Sequence, residues 1–423
     1  MKIWLITIGE PIPALDPDAR ALRTSILKDE LIARGHQVTW VTSRFNHARK
    51  RRFDVSSEIE EHDGVRYVFL SGMDYSKNIS ITRMINHSQI AHHFRKISRS
   101  LDVPDIILCS FPSIELCREA VIYAKCKDIP VVTDVRDLWP DIFVDVAPPG
   151  FRFIAKLLLY KYFLDTRYVF RNSFGITGVS KKYVEWGCDK SGRPVNPVTD
   201  IVFPIGYKGK LERLADTENI DSHLKSLGVD AKKKIVWFIG VFGSTYDLDT
   251  VLHAASQLIG RHDLLFVLSG EGDNYERLIK KSNDLDCSNV IFTGWLNQHQ
   301  INAVSSVADV GLLAYRDSAP QSLPNKLFEY MSMGIPLLSS LQTECKNLIE
   351  ETDVGENYEP GDPNSLVKKL ELLLSRDTPL FRENILKTFN SRFLAEKIYS
   401  EYSDYLESVQ NSVMDNSVCS KAY

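Results

Sequence analysis

The chain has no run of about 20 apolar residues, the length needed to cross a bilayer, so no membrane-spanning helix is expected. It opens MKIWLITIGEPIP, a single Lys and a short apolar stretch broken by Gly, Glu and Pro. A signal peptide needs a longer apolar region and a small-residue cleavage site, so this reads as a first buried strand. The seven cysteines (109, 117, 126, 188, 287, 345 and 419) are odd in number and form no C-x-x-C pair. Five lie in or beside apolar runs, which predicts reduced core thiols in a cytosolic protein rather than a disulfide framework. The first strand ends in GEPIP, not G-x-G-x-x-G, which argues against a dinucleotide dehydrogenase. A Walker A loop and solenoid-period repeats are also missing. The RKRR run at 49–52 is too short and isolated for nucleic-acid binding and reads equally as a solvated loop.

At 423 residues the chain exceeds one ordinary hydrophobic core, and two domains of roughly 200 residues are expected. With 44% hydrophobic and 25% charged residues it has a globular balance. The net charge of −4 hides an asymmetry: residues 1–203 carry 29 Lys and Arg against 24 Asp and Glu, and the remainder 22 against 31. A basic first half suits an anionic partner, a phosphate-bearing substrate or a lipid surface, although such differences between domains are also common.

Short apolar runs alternate with helical periodicity throughout. Strands are predicted at 3–8, 38–41, 66–70, 105–110, 130–135 and 175–179. Helices are predicted at 17–34, with Asp16 as N-cap, at 84–100, at 113–127, and as one long helix before 175. The second half repeats the grammar: strands at 234–240, 264–270, 289–294, 309–315 and 335–340, and helices near 247–259, 274–284, 298–307, 325–333 and 363–375. Continuous apolar strands separated by helices predict parallel sheets covered on both faces. The Pro- and Gly-bearing stretch 192–209 is the boundary candidate. The expected fold is α/β: two tandem Rossmann-like doubly wound domains, 1–203 and 204–390, with a ligand cleft where the carboxyl ends of both sheets meet. A polar tail, 411–423, is expected to be disordered.

Three strand-to-helix junctions carry candidate chemistry. FIGVFGSTYD places Gly240, Gly243 and Ser244 ahead of a helix, where glycines allow close backbone approach and free N–H groups attract anions. LSGEGDNYERL places Gly270 and Gly272 similarly, but a plain turn explains either pair. In SAPQSLPNKLFEYMSMGIP, Pro324 and Asn325 open a helix and Lys326 lies in its first turn, where it opposes the dipole. It makes sense if an anion sits there too. Glu329 suits paired hydroxyls such as those of a ribose; the plainer reading is a solvated i,i+3 pair with Lys326.

These junctions, with LRTSILKDELIARGHQVTWVTS, VRDLWPD (135–141), SGEGD, FTGWL, ADVGLLAY and SLPNKLFEYMSMGIP in order, resemble the family-4 glycosyltransferases of the GT-B fold. GEPIP, RKRR and DVRDLWPD look like a bacterial branch among enzymes of surface-polysaccharide assembly. The resemblance implies retaining transfer of a sugar from a nucleotide-diphosphate sugar to a saccharide or lipid-linked acceptor, without cofactor or metal. It implies a donor on the C-terminal domain, an acceptor on the N-terminal one, and a last helix, 391–410, packing back on the first domain. By position, Glu329 matches the second Glu of the E-x7-E motif and would contact the ribose. The first falls at Gln321, an amide that can hydrogen-bond hydroxyls but brings no charge. GSTYDLD lacks the basic pair of many relatives, so Lys326 is the candidate for the diphosphate, assisted by the amides of Gly243 and Ser244, with Gly270 and Asn325 beside the donor. Trp295 stands where relatives bracket the nucleobase, or is a packed aromatic.

In the first domain Arg136 is read as neutralising phosphate, because its full charge bars it from acting as a base. Asp137 either orients an acceptor hydroxyl or pairs with Arg136. Gly9 would let the donor phosphates approach, and Glu10 faces the acceptor side. The D-x-D triplets at 16–18, 247–249 and 284–286 fall at helix ends, where Asp caps. The segment 151–171 places Arg152, Lys156, Arg167 and Arg171 within an arc of about 100° on one helix, which fits docking on anionic lipid at the inner face of a cell membrane, or burial between layers. The rivals are a nucleotide-sugar epimerase or hydrolase on the same fold, and a non-catalytic donor-binding subunit.

Overall fold

The computed structural model describes residues 1–16, 21–47, 49–76, 80–145, 147–207, 219–319, 321–376 and 378–420. The chain divides into unit 1, Met1–Gly206 with Glu396–Tyr423, and unit 2, Tyr207–Ala395.

Unit 1 begins with β1 (Lys2–Ile6), α1 (Arg23–Ala33), β2 (Gln37–Ser43), the short pair β3 (Phe45–Asn46) and β4 (Arg51–Arg52), β5 (Ile59–His62), β6 (Val65–Leu70) and α2 (Ile81–Ile97). It continues with β7 (Ile106–Phe111), α3 (Ile114–Lys127), β8 (Val131–Val135), α4 (Asp141–Asp145), α5 (Arg152–Leu158), α6 (Tyr160–Arg171), β9 (Gly175–Gly178), α7 (Lys181–Ser191) and β10 (Ile201–Val202). The sheet order is β10-β9-β8-β7-β1-β2-β6-β5. Pairings are parallel except at the edge, where β5 runs antiparallel to β6. Asp63 (φ 51°) and Gly64 (φ 76°) turn that hairpin, the left-handed pair a two-residue turn requires. Strands β7 and β8 are buried along their whole length, which is why they read as unbroken apolar runs.

Unit 2 contains α8 (Ile220–Ser226), β11 (Lys234–Ile239), α9 (Leu248–Gln257), β12 (Leu264–Ser269), α10 (Tyr275–Asp284), β13 (Val290–Gly294) and α11 (Gln298–Val307). Then come β14 (Ala308–Leu313), α12 (Asn325–Ser332), β15 (Leu337–Ser339), α13 (Glu344–Thr352), β16 (Gly355–Asn357), α14 (Pro363–Arg376) and α15 (Pro379–Arg392). Its parallel sheet has the order β13-β12-β11-β14-β15-β16. In both units the order reverses next to the first strand, at β1/β7 and at β11/β14. In open α/β sheets, ligands bind outside the carboxyl ends of the strands at such a reversal.

The last helix, α16 (Ala395–Ser420), returns to unit 1. Arg34 donates to Asp404 (2.5 Å) and to the Ser400 carbonyl (3.0 Å), and Tyr402 stacks on Phe203 at 4.1 Å. Gly175 makes room for it, since a Cβ there would lie 2.1 Å from the Tyr405 hydroxyl.

Several expectations need correction. Helix α1 starts at Arg23, and Leu22 is its N-cap without a side-chain bond. Its first amides find an acceptor elsewhere: Thr24 N donates to Glu10 across the loop (3.1 Å). Asp16 is no cap but takes two bonds from Arg49 (2.5 and 2.7 Å); residues 17–20 of the expected helix, and of the first D-x-D triplet, lie outside the described residues. RKRR is solvated at Arg49, Arg51 and Arg52, as read, but it is not all loop: Arg51 and Arg52 form β4, and Lys50 lies 5.0 Å from the Tyr75 ring centroid. The long helix at 151–171 is divided at Leu159, because its halves pack differently: α5 buries none of its residues, whereas α6 buries Thr166, Val169 and Phe170. Residues 391–394 precede α16, and α16 runs on through the tail to Ser420, since extending a nucleated helix adds a hydrogen bond per residue fixed. Residues 421–423 of the expected disordered tail lie outside the described residues. The six cysteines described are free thiols, five of them buried.

Candidate functional site

In unit 2 the loops after β11, β12 and β13 are pressed together. Gly240 N donates to Ser269 O (2.9 Å), Phe242 N to Glu271 O (2.8 Å) and Gly270 N to Gly294 O (2.8 Å). A Cβ on Gly270, at φ 136°, would lie 1.8 Å from Gly240 O. Gly270 is therefore a packing glycine whose amide is already used. Gly243 differs: nothing lies within 4 Å of its missing Cβ, and its N–H turns back to Val241 O (2.9 Å). Ser244 is exposed, and its amide makes no hydrogen bond among the described residues. Gly270→Ala is expected to cost unit 2 about 3–5 kcal/mol in denaturant unfolding, through overpacking and a strained φ, and Gly243→Ala essentially nothing. Equal effects would contradict this assignment.

Helix α12 is pinned by Tyr330, whose hydroxyl donates to Trp237 O (3.1 Å) and accepts from Ile239 N (3.2 Å). One turn earlier, on the same face, stands Lys326. It is 9% exposed, and its Nζ makes no hydrogen bond among the described residues. Aromatic rings surround it: Nζ lies 3.8 Å from the Tyr246 centroid, 4.0 Å from Phe238 and 6.0 Å from Tyr315. Gly240 closes the cage, since a Cβ there would lie 2.2 Å from Nζ. Burial pushes the ammonium down to about 7, against an opposing pull from Glu329. The solvated Lys326–Glu329 pair is thus not what forms. Glu329 is half-buried and Asn325 exposed at the helix start. Gln321 Oε1 is buried without a hydrogen-bond partner, and Trp295 is 69% exposed in the loop after β13. Asp247 caps α9, while Asp249 is held by Arg277 (2.8 Å) and Lys281 (2.7 Å), well below the usual carboxylate range. Asp284 closes α10, two residues before Asp286 at φ 51°.

In unit 1 the β1/β7 reversal opens on a cavity of about 200 Å³ lined in part by Gly9, Glu10, His47, Arg83, His87 and Arg136. Gly9 is exposed at φ 87°, the conformation for which glycine is suited. Arg136 lines that cavity, but its guanidinium is already engaged by protein groups. Its guanidinium bonds Glu10, Asp134 (2.8 Å) and Thr24 (3.0 Å). Arg23 grips the same Asp134 with two bonds of 2.9 Å. Glu10 is equally engaged, accepting from Thr24 N and Oγ1. Asp137 does not pair with Arg136. It accepts from Leu138 N (2.8 Å) and Trp139 Nε1 (3.0 Å), and burial pushes its carboxyl up.

Residues 219–387 match the family described as Glycosyl transferases group 1. Unit 2 carries a group 1 glycosyl transferase domain. The match and the fold bear out the resemblance to family-4 glycosyltransferases of the GT-B fold. The chain is similar to "Probable glycosyltransferase WbjE" of Pseudomonas aeruginosa, 24% identical over 34% of this chain and 37% of that protein. It is also similar to "Uncharacterized glycosyltransferase MJ1607" of Methanocaldococcus jannaschii, 24% identical over 42% and 44%. These matches span less than half of either relative. In fold it is similar to the sucrose-phosphate synthase of Thermosynechococcus elongatus (TM-score 0.68, 15% identity, 97% of this chain and 99% of that one). It is likewise similar to Anabaena HepE solved with UDP (0.65, 14%, 96% and 99%).

The group 1 domain brings Gly243, Ser244, Lys326 and Glu329 to the loops and helix that follow the two strands flanking its sheet reversal. The aromatic cage escaped the sequence reading because Phe238, Tyr246 and Tyr315 lie on separate segments. His47, Tyr75, Arg83 and His87 of unit 1 escaped it for the same reason. Among the described residues no helix is long and apolar enough to cross a membrane.

Proposed function

We propose that the chain transfers a sugar from a nucleotide-diphosphate sugar to a saccharide or lipid-linked acceptor, with retention, in assembly of a surface polysaccharide. The observation that carries the reading is Lys326: a buried cation with no hydrogen-bond partner, at the end of the sheet where ligands bind. A charge so placed is costly to fold, the surrounding rings offset only part of that cost, and an anion beside it would offset the rest. The donor's diphosphate is that anion. As the glycosidic bond breaks, negative charge grows on the leaving phosphate, and Lys326 with the Ser244 amide opposes it without a metal. Glu329 holds the ribose, and Gln321 hydrogen-bonds the sugar as a neutral amide. Unit 1 binds the acceptor, and the enzyme works in the cytoplasm at the inner face of the membrane.

The test is a transfer assay with nucleotide sugars, beginning with UDP-glucose because HepE was solved with it. Sugar transfer only when an acceptor is present supports the reading. Donor conversion or hydrolysis without acceptor favours an epimerase or hydrolase. Donor binding without turnover on any acceptor, which Gln321 at the first motif position makes worth testing, favours a binding subunit. Trp295→Ala is expected to raise the donor KM about 5- to 100-fold, the loss of one stacked base, with kcat and melting temperature unchanged because the ring is exposed. An unchanged KM would remove Trp295 from the nucleobase site.

A further inference from the structure

The ammonium of Lys326 is sealed from solvent. Two walls of its cage belong to the core of unit 2: Phe238, at the carboxyl end of β11, and Tyr315, two residues after β14, are both buried. On another side stands Gly240, whose missing Cβ would lie 2.2 Å from Nζ. Of the three rings only Tyr246 reaches the surface. It is half-buried, and its centroid is the nearest to Nζ, at 3.8 Å. Tyr246 is therefore the outer wall, and an anion from solvent meets it before it meets the lysine.

The part of Tyr246 able to move is its side chain. The backbone on either side is tied down: Asp247 N donates to Ala314 O (3.1 Å), and Arg316 N donates to Thr245 O (3.0 Å). The ring is held by other rings, edge-on to Phe238 at 5.2 Å between centroids and tilted on Tyr315 at 4.8 Å. Two residues earlier in the same loop lies the exposed Ser244, with its amide unbonded among the described residues. A phosphate drawn to that amide arrives beside the outer wall.

The closed cage also disfavours charge. Burial, opposed by Glu329 on the same helix, brings the Lys326 ammonium down to about 7. Burial pushes the hydroxyls of Tyr315 and Tyr330 up, so both stay neutral and neither supplies a countercharge. Turning the outer ring away exchanges a cation–π contact for a charge-assisted hydrogen bond to a phosphate oxygen, the stronger of the two.

We propose that Tyr246 gates the donor site: its ring covers Lys326 in the empty protein and turns outward when a diphosphate enters, so that the anion replaces the ring as the partner of the ammonium. This rests on the reading that Lys326 meets the donor's diphosphate, and it names the residue that controls access to it.

The test has an empty arm and a bound arm, both on the full chain. In the empty arm the lysines carry 13C at Cε, and the Lys326 signal is identified by its loss in Lys326→Met. Tyr246→Ala removes the outer wall and admits water, so the Lys326 titration is expected to move from about 7 to above about 8. Tyr246→Phe, which keeps the ring, is expected to titrate as wild type. In the bound arm, whichever of UDP, GDP, TDP and ADP binds wild type is followed by stopped-flow tryptophan fluorescence. A ring that must turn slows association, so Tyr246→Ala is expected to associate about fivefold faster or more, and Tyr246→Phe at the wild-type rate. Tyr246→Ser serves if Tyr246→Ala melts early. An unchanged Lys326 titration or an unchanged association rate in the opened variant would overturn the gate while leaving nucleotide binding intact. Binding of none of the four by wild type is instead a failure of the donor reading, and the gate falls with it.

Discussion

Replacing Lys326 by methionine is expected to lower the proposed sugar transfer about 100- to 1,000-fold, the usual effect of removing one preorganised charge from a developing oxyanion. The same substitution is expected to leave the chain as stable or make it more stable. A drop from 10.5 to about 7 corresponds to about 5 kcal/mol favouring the neutral amine over the ammonium in the empty site. The two closest rings, at 3.8 and 4.0 Å, return about 2 kcal/mol each at best. The pH dependence follows. The unfolded lysine holds its proton up to about 10.5 and the folded one only to about 7, so between those values the unfolded state binds more protons. Stability from this residue therefore rises with pH from about 7 to 10.5 and is flat below. Denaturant melts at pH 7 and pH 9.5 check it: wild type gains relative to Lys326→Met. A variant that is less stable at both values would mean the ammonium is structural.

Asp134→Ala is expected to cost unit 1 about 3–5 kcal/mol. Its carboxylate is fully buried and accepts from Arg23, Arg136 and Thr177 (3.0 Å). Arg23 is 5% exposed and also donates to the carbonyls of Phe203 (2.7 Å) and Pro204 (3.1 Å). Without Asp134 a buried guanidinium loses its countercharge. Adding Arg23→Met should recover much of the loss, because removing both partners is far cheaper than removing one. Unfolding curves of the two single variants and the double variant measure this. Strict additivity would show that the two residues do not act as a pair.

Much of the fold was legible because parallel strands buried on both faces leave unbroken apolar runs, as at 106–111 and 264–269. Helix α12 stood out in the sequence because Lys326 stands where a helix dipole disfavours it, a local conflict that only a ligand or tertiary burial explains. Other features needed the third dimension. Arg136 looked free because Glu10 and Thr24, 126 and 112 residues away in sequence, meet it only in the fold, beside Asp134 two residues before it. Asp16 looked like a cap because Arg49 is 33 residues away. The β5–β6 hairpin was missed although Asp63-Gly64 signals it, since the reading favoured parallel pairing. Gly270 and Gly243 look alike in sequence, and only the loop facing Gly270 separates them.

The central claim is that Lys326 meets a nucleoside diphosphate. Calorimetric titration of UDP, GDP, TDP and ADP into wild type and Lys326→Met, at pH 6.5 and pH 9, tests it most directly. At least one nucleotide should bind wild type with proton uptake, bind more weakly at pH 9, and lose most of its affinity and its pH dependence in the variant. Binding to none of the four, or equal binding by both proteins at both pH values, would contradict the account.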